Sequence, residues 1–98
     1  MRKYGKVDDN HSGVVSALRQ AGCAVISLAS VGQGCPDLLV SRNGSQGGIN
    51  VLMEVKDGSK SPSKRKLTDD QRKFFATWKG PCFVVKSVEE ALLAVNVS

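Results

Sequence analysis

The chain is predicted to fold as a small α/β domain, a mixed β-sheet flanked by helices in the order αβββαβα, on three observations. Apolar residues recur at helical spacing in three stretches, and four short runs are rich in Val, Ile, Leu and Phe. Gly, Pro and Ser punctuate the boundaries between them. Its 98 residues allow one domain, residues 1–98, of which 1–7 are expected to be flexible. A composition of 41% hydrophobic and 23% charged residues excludes wholesale disorder.

A first helix is expected over "VVSALRQAG" (14–22), where Val14, Val15 and Leu18 recur with Ala17 and Ala21. Gly22 is its stop, and Asp8, Asp9 and Asn10 are its candidate caps. "CAVISLAS" (23–30) reads as a strand and "VGQG" as a turn. Pro36 pushes Cys35 toward an extended conformation, and "DLLVSRN" (37–43) is the second strand. "NGSQGG" (43–48) is the flexible loop of a hairpin whose return strand is "INVLMEVK" (49–56).

Residues 57–67 form an exposed basic loop containing Pro62. "TDDQRKFFATW" (68–78) opens with a capping box from Thr68 to Gln71 and continues as a helix. "PCFVVK" (81–86) is the fourth strand, and "SVEEALLAV" (87–95) the last helix, with its own box from Ser87 to Glu90. A meander of three strands followed by a βαβ return gives a mixed sheet.

The formal charge of +5, from 14 Lys and Arg against 9 Asp and Glu, favours a polyanionic partner such as nucleic acid. Cys23, Cys35 and Cys82 are odd in number and widely spaced, which fits neither a zinc pattern nor a disulfide framework and suits a reducing compartment. Each is expected to be a small core filler. No apolar run approaches membrane length, and "MRKYGK" has no apolar stretch behind it, so an intracellular protein without signal peptide or anchor is expected.

One strand breaks its own pattern. In "LMEVKDG" (52–58), Glu54 and Lys56 interrupt a run of Leu, Met and Val, with Asp57 straight after. Alternation puts Leu52, Glu54 and Lys56 on one face and Val51, Met53 and Val55 on the other. An ion pair near a sheet edge accounts for this alone. Asp37 adds to it, because a hairpin centred near residue 46 sets Asp37 opposite about residue 54 or 55.

Two carboxylates at that separation repel unless a cation or a proton lies between them. A hard divalent ion suits oxygen ligands, and Mg²⁺ needs only one or two carboxylates plus water. The Val55 backbone carbonyl is a further candidate ligand. Lys56 could orient or deprotonate a metal-bound water and offset charge on a phosphate. A turn-capping role for Asp37 after a Pro stands beside this reading.

"GCPDLLV" (34–40), "MEVKDG" (53–58), "LTDDQRKFFATWKG" (67–80) and "VVKSVEEALLAV" (84–95) together resemble the VRR-NUC family of the PD-(D/E)xK nuclease superfamily, over roughly residues 8 to 95. The resemblance implies a restriction-endonuclease-like core and metal-dependent cleavage of DNA phosphodiesters at four-way (Holliday) junctions or flaps, in a cytoplasmic, bacterial or phage-like setting. It implies Asp37 and Glu54 as ligands of Mg²⁺ or Mn²⁺, Lys56 as the catalytic lysine and Gln71 as support. Gln71 is equally the second half of the Thr68 capping box.

Related nucleases often carry a further acid on the first helix. That position falls near Gly13, with Asp8, Asp9 and His11 close by; His11 reads either as a general base or as a solvent-facing side chain.

Seven of the 14 basic residues fall between Lys56 and Lys73. Lys60, Lys64, Arg65, Lys66, Arg72 and Lys73 are the candidate phosphate contacts, set against a solvated loop kept soluble by charge. Contacts to backbone and shape are expected rather than base reading. Phe74, Phe75 and Trp78 sit at helical spacing and are assigned to core packing rather than base stacking. Paired cuts in a junction suit a C₂ homodimer. A non-catalytic DNA-binding module with a degenerate site, and an RNA-binding subunit, are the alternatives.

Overall fold

The computed structural model describes residues 10–44 and 47–96. The first seven residues, Asp8 and Asp9 therefore lie outside the described residues, as do Ser45 and Gln46 of the hairpin loop. The order is α1 (His11–Gln20), β1 (Ala24–Ser27), β2 (Leu38–Gly44), β3 (Gly47–Val55), a single 3₁₀ turn (Pro62–Lys64), α2 (Asp69–Thr77), β4 (Cys82–Val85) and α3 (Val88–Val95). The expected αβββαβα sequence of elements is present.

The strands lie in the order β1-β2-β3-β4. β1–β2 and β2–β3 are antiparallel, and β3–β4 is parallel, so the meander and its return produce a mixed four-stranded sheet. The hairpin pairs Leu38 with Met53 and Val40 with Val51, and continues through Asn43 with Gly48 to Gly44 with Gly47. The ladder thus runs well into the segment expected to be loop. Glycine weakens a strand but does not forbid it, and the seven-residue partner supplies the bonds.

One face of this sheet is apolar. Val25, Leu38, Val40, Val51, Met53, Val55 and Val85 are buried against Val14 and Leu18 of α1 and Ala91 and Val95 of α3. Burying each such large side chain stabilises by about 1.5–3 kcal/mol. α1 begins three residues earlier than its apolar periodicity suggests. It ends in a Schellman motif: the Cys23 N–H donates to Leu18 O and the Gly22 N–H to Arg19 O, with Gly22 at φ +95°.

The opposite face carries Ile26, Leu39, Leu52 and Glu54, and α2 covers only part of it. The Thr68 box closes in both directions. The Ser87 box is half formed: Ser87 Oγ accepts from the Glu90 N–H, while Glu90 Oε1 takes the Lys86 N–H instead of that of Ser87.

Candidate active site

Asp37 ends the loop that enters β2, one residue before the ladder begins. The register, continued by one pair, sets it opposite Glu54, and by two pairs sets Pro36 opposite Val55. That second pair explains the proline. Val55 presents its N–H and C=O toward β2, as Val51 and Met53 do, because the two groups of one strand residue point to the same side. Its N–H donates to Asp37 Oδ2 at 2.8 Å. Pro36 has no N–H, so it can donate no ladder bond to the Val55 carbonyl.

Glu54 and Lys56 project from the same face of β3. Glu54 is only 4% exposed, and its Oε2 accepts from Gln71 Nε2 at 3.0 Å and lies 3.6 Å from Lys56 Nζ. Lys56 Nζ donates to Gln71 Oε1 at 3.1 Å, and the same oxygen accepts the Thr68 N–H at 2.8 Å. Gln71 therefore caps its helix and ties the lysine to the carboxylate. Its amide has one consistent orientation, since oxygen faces two donors and nitrogen faces a carboxylate.

Two local devices bring these groups together. Gly34, at φ +81°, lies so close to the start of α2 that a Cβ there would overlap the Asp70 carbonyl oxygen. The loop that delivers Asp37 thus rests against the helix turn that delivers Gln71. At the other end, Asn10 Nδ2 donates to the carbonyls of Lys56 and Lys86, pinning the start of α1 to the ends of β3 and β4.

Burial pushes the Glu54 carboxyl up to about 8, the Asp37 carboxylate adds to the rise, and Lys56 opposes it. Glu54 Oε1 is buried with no hydrogen-bond partner. A divalent cation would remove both anomalies, since it repels the proton and gives the orphaned oxygen a partner. Two carboxylates, with the Val55 carbonyl as a candidate third ligand, are a donor set that could hold Mg²⁺ or Mn²⁺, which keep several waters. Among the described residues, no group of three or more His, Cys, Asp or Glu side chains is arranged to hold a metal ion.

Other expected participants stand elsewhere. Gly13 is exposed, and a side chain there would start in open space, whereas Val14 and Leu18 face the sheet. The departure at Gly13 is thus no gap in the site; Asn10 is the residue at that end of α1 that reaches β3. His11 is half-buried, leaves its Nε2 without a partner and makes no hydrogen bond or ion pair with Asp37, Glu54 or Lys56. Asp57 accepts from the backbone and hydroxyl of Ser59, which lower its carboxyl below the usual range, so it shapes a turn.

Lys60, Lys64, Lys66 and Lys73 are exposed. Arg72 is held by Asp69 and the Leu67 carbonyl, and Arg65 is half-buried with its Nε lacking a partner. Cys23 is a core filler as expected. Cys35 and Cys82 are half-buried instead, with thiols raised by burial and by Glu54, Cys82 to about 11.

Trp78 does not pack in the core. It is 49% exposed and stacks on Phe74 at 4.9 Å and 16°. Asn10 and Gly34 were also invisible as site-builders, because a cap residue and a turn glycine carry no mark of a distant partner. No helix among the described residues is long and apolar enough to cross a membrane. No family model, curated protein or solved structure matches the chain.

Proposed function

We propose that this protein is a metal-dependent, structure-selective DNA endonuclease that hydrolyses phosphodiester bonds at four-way junctions or flaps. The observation that carries the reading is the convergence of Asp37, Glu54, Lys56 and Gln71 on one face of the sheet, with Glu54 Oε1 left buried and unpaired. The mixed sheet is compatible with the restriction-endonuclease-like core that the sequence resemblance to VRR-NUC nucleases implies.

Asp37 and Glu54 would hold Mg²⁺ or Mn²⁺ with the Val55 carbonyl, and the ion would supply water activation and charge neutralisation. Lys56, anchored by Gln71, would orient the attacking water and offset charge on the phosphate. Attack in line at phosphorus then breaks the bond to the leaving oxygen. Gln71 is a positioning residue for Lys56 and Glu54. Lys60, Lys64, Lys66 and Lys73, with the half-buried Arg65 and the Asp69-paired Arg72, would draw the DNA backbone toward the site, so affinity would fall steeply with salt. Paired cuts across a junction would need two sites, which a homodimer provides.

That no third acid joins Asp37 and Glu54 among the described residues favours a second reading, a DNA-binding module whose site no longer cuts. Incubating labelled four-way junctions and flaps with Mg²⁺ or Mn²⁺, beside Asp37→Ala and Lys56→Ala, separates the two. Metal-dependent cutting lost in both variants is the expected result. Salt-sensitive binding with no cutting supports the module, and full cutting by both variants removes these residues from the mechanism.

A further inference from the structure

Beside the carboxylates lies an apolar cleft of about 390 Å³, with Leu39 and Leu52 among its lining and Phe74, Trp78 and Pro81 bordering it. Leu39 and Leu52 are a cross-strand pair; Glu54 is the next residue of β3 on the same face, and Asp37, just before β2, accepts the N–H of its neighbour Val55. Two residues along a strand span about 6.6 Å, so the cleft begins one such step from the proposed metal ligands. We propose that this cleft holds a single unstacked nucleobase, that of a nucleotide adjoining the phosphate to be cut.

Chemistry and position favour this occupant. The lining is almost wholly apolar, as the flat face of a base requires, and Trp78 offers an indole already stacked on Phe74 at one end. Lys79, between the lining residues Trp78 and Gly80, and Lys73, next to the lining residue Phe74, are exposed cations available to the nucleotide's phosphates. Asn50 stands one same-face step beyond Leu52 and supplies a donor and an acceptor for a base edge. The proposal rests on the reading of this chain as a DNA nuclease. It narrows the substrate to DNA with an unpaired nucleotide at the cut, as in a flap or an opened branch point, rather than fully stacked duplex arms.

Trp78 is the only tryptophan of the chain, so its fluorescence reports this cleft without labelling. The metal-free protein is titrated with a short oligothymidylate and with an abasic oligomer of equal phosphate count. Expected are a change in Trp78 emission with the thymidylate alone and an affinity about tenfold or more above that of the abasic chain. Trp78→Leu should bring the two affinities together, while wild-type titrations decide the matter should that variant fold poorly.

Equal affinities with unchanged emission overturn the proposal, as does failure of both oligomers to bind. Emission that follows protein concentration instead of oligonucleotide shows a second copy in the cleft, and also overturns it. Because no cleavage is read, base-dependent binding without nuclease activity refutes only the nuclease. Cleavage with base-independent binding refutes only the base subsite.

Discussion

The two faces of the sheet follow opposite rules. Under α1 and α3 the buried cluster is Val, Leu, Met, Ala and Cys, and Arg42 on that face keeps its half-buried guanidinium satisfied by donating to the Val95 carbonyl. On the other face, where α2 covers only part, Glu54 is buried beside Asp37 and Lys56 is held nearly as deep. An uncompensated carboxylate costs folding free energy, so that face gives up stability which the first supplies. Sites that carry chemistry commonly show this trade.

Substitutions should separate the faces cleanly. Asp37→Asn keeps an acceptor for the Val55 N–H, so thermal melting should barely move while cleavage falls by about 10²–10⁴-fold. Met53→Ala on the apolar face should do the reverse, losing about 2–5 kcal/mol in denaturant melts while folded molecules still cut. Equal losses of both properties in both variants would dissolve the distinction.

Gly34→Ala strikes the seam between loop and helix. Its positive φ and the close Asp70 carbonyl should cost about 2 kcal/mol and, by shifting α2, also reduce turnover. Unchanged kinetics at full stability would mean that the contact does not position Gln71.

A smaller effect divides the two roles of Gln71. Thr68→Ala removes only the cap and should cost about 1 kcal/mol with cleavage kept. Gln71→Ala should cost a similar amount of stability but also lower kcat, because Lys56 and Glu54 lose their tie. Matching kinetics in the two variants would reduce Gln71 to a capping residue.

The pH response isolates Glu54. Its carboxyl is raised from 4.5 to about 8 on folding, whereas that of Asp57 is lowered and loses its contribution in acid. The Glu54 contribution to stability is therefore most favourable below 4.5 and declines as pH rises toward 8. Melting temperatures of metal-free protein should follow that decline, and Glu54→Gln should flatten it. Mn²⁺ should restore more stability at pH 8 than at pH 6, where it competes with the bound proton.

Much of this was legible beforehand, because the hairpin is symmetric. Once two strands flank a short loop, register and alternation place Asp37 beside Glu54 and put Lys56 on the same face. What stayed hidden depends on contacts distant in sequence. The Gly34 approach to Asp70, the Asn10 bridge to β3 and β4, and the exposure of Trp78 each need the tertiary fold. Gln71 fell between, since the same side chain satisfies a local cap and a distant pair, and local reading sees only the first.

Crystals grown with Mn²⁺ and measured at its absorption edge address the central claim most directly. An anomalous peak between the Asp37 and Glu54 carboxylates and the Val55 carbonyl, absent in Asp37→Asn, is the result this account predicts. No peak there at saturating Mn²⁺, or an identical peak in the variant, would contradict it.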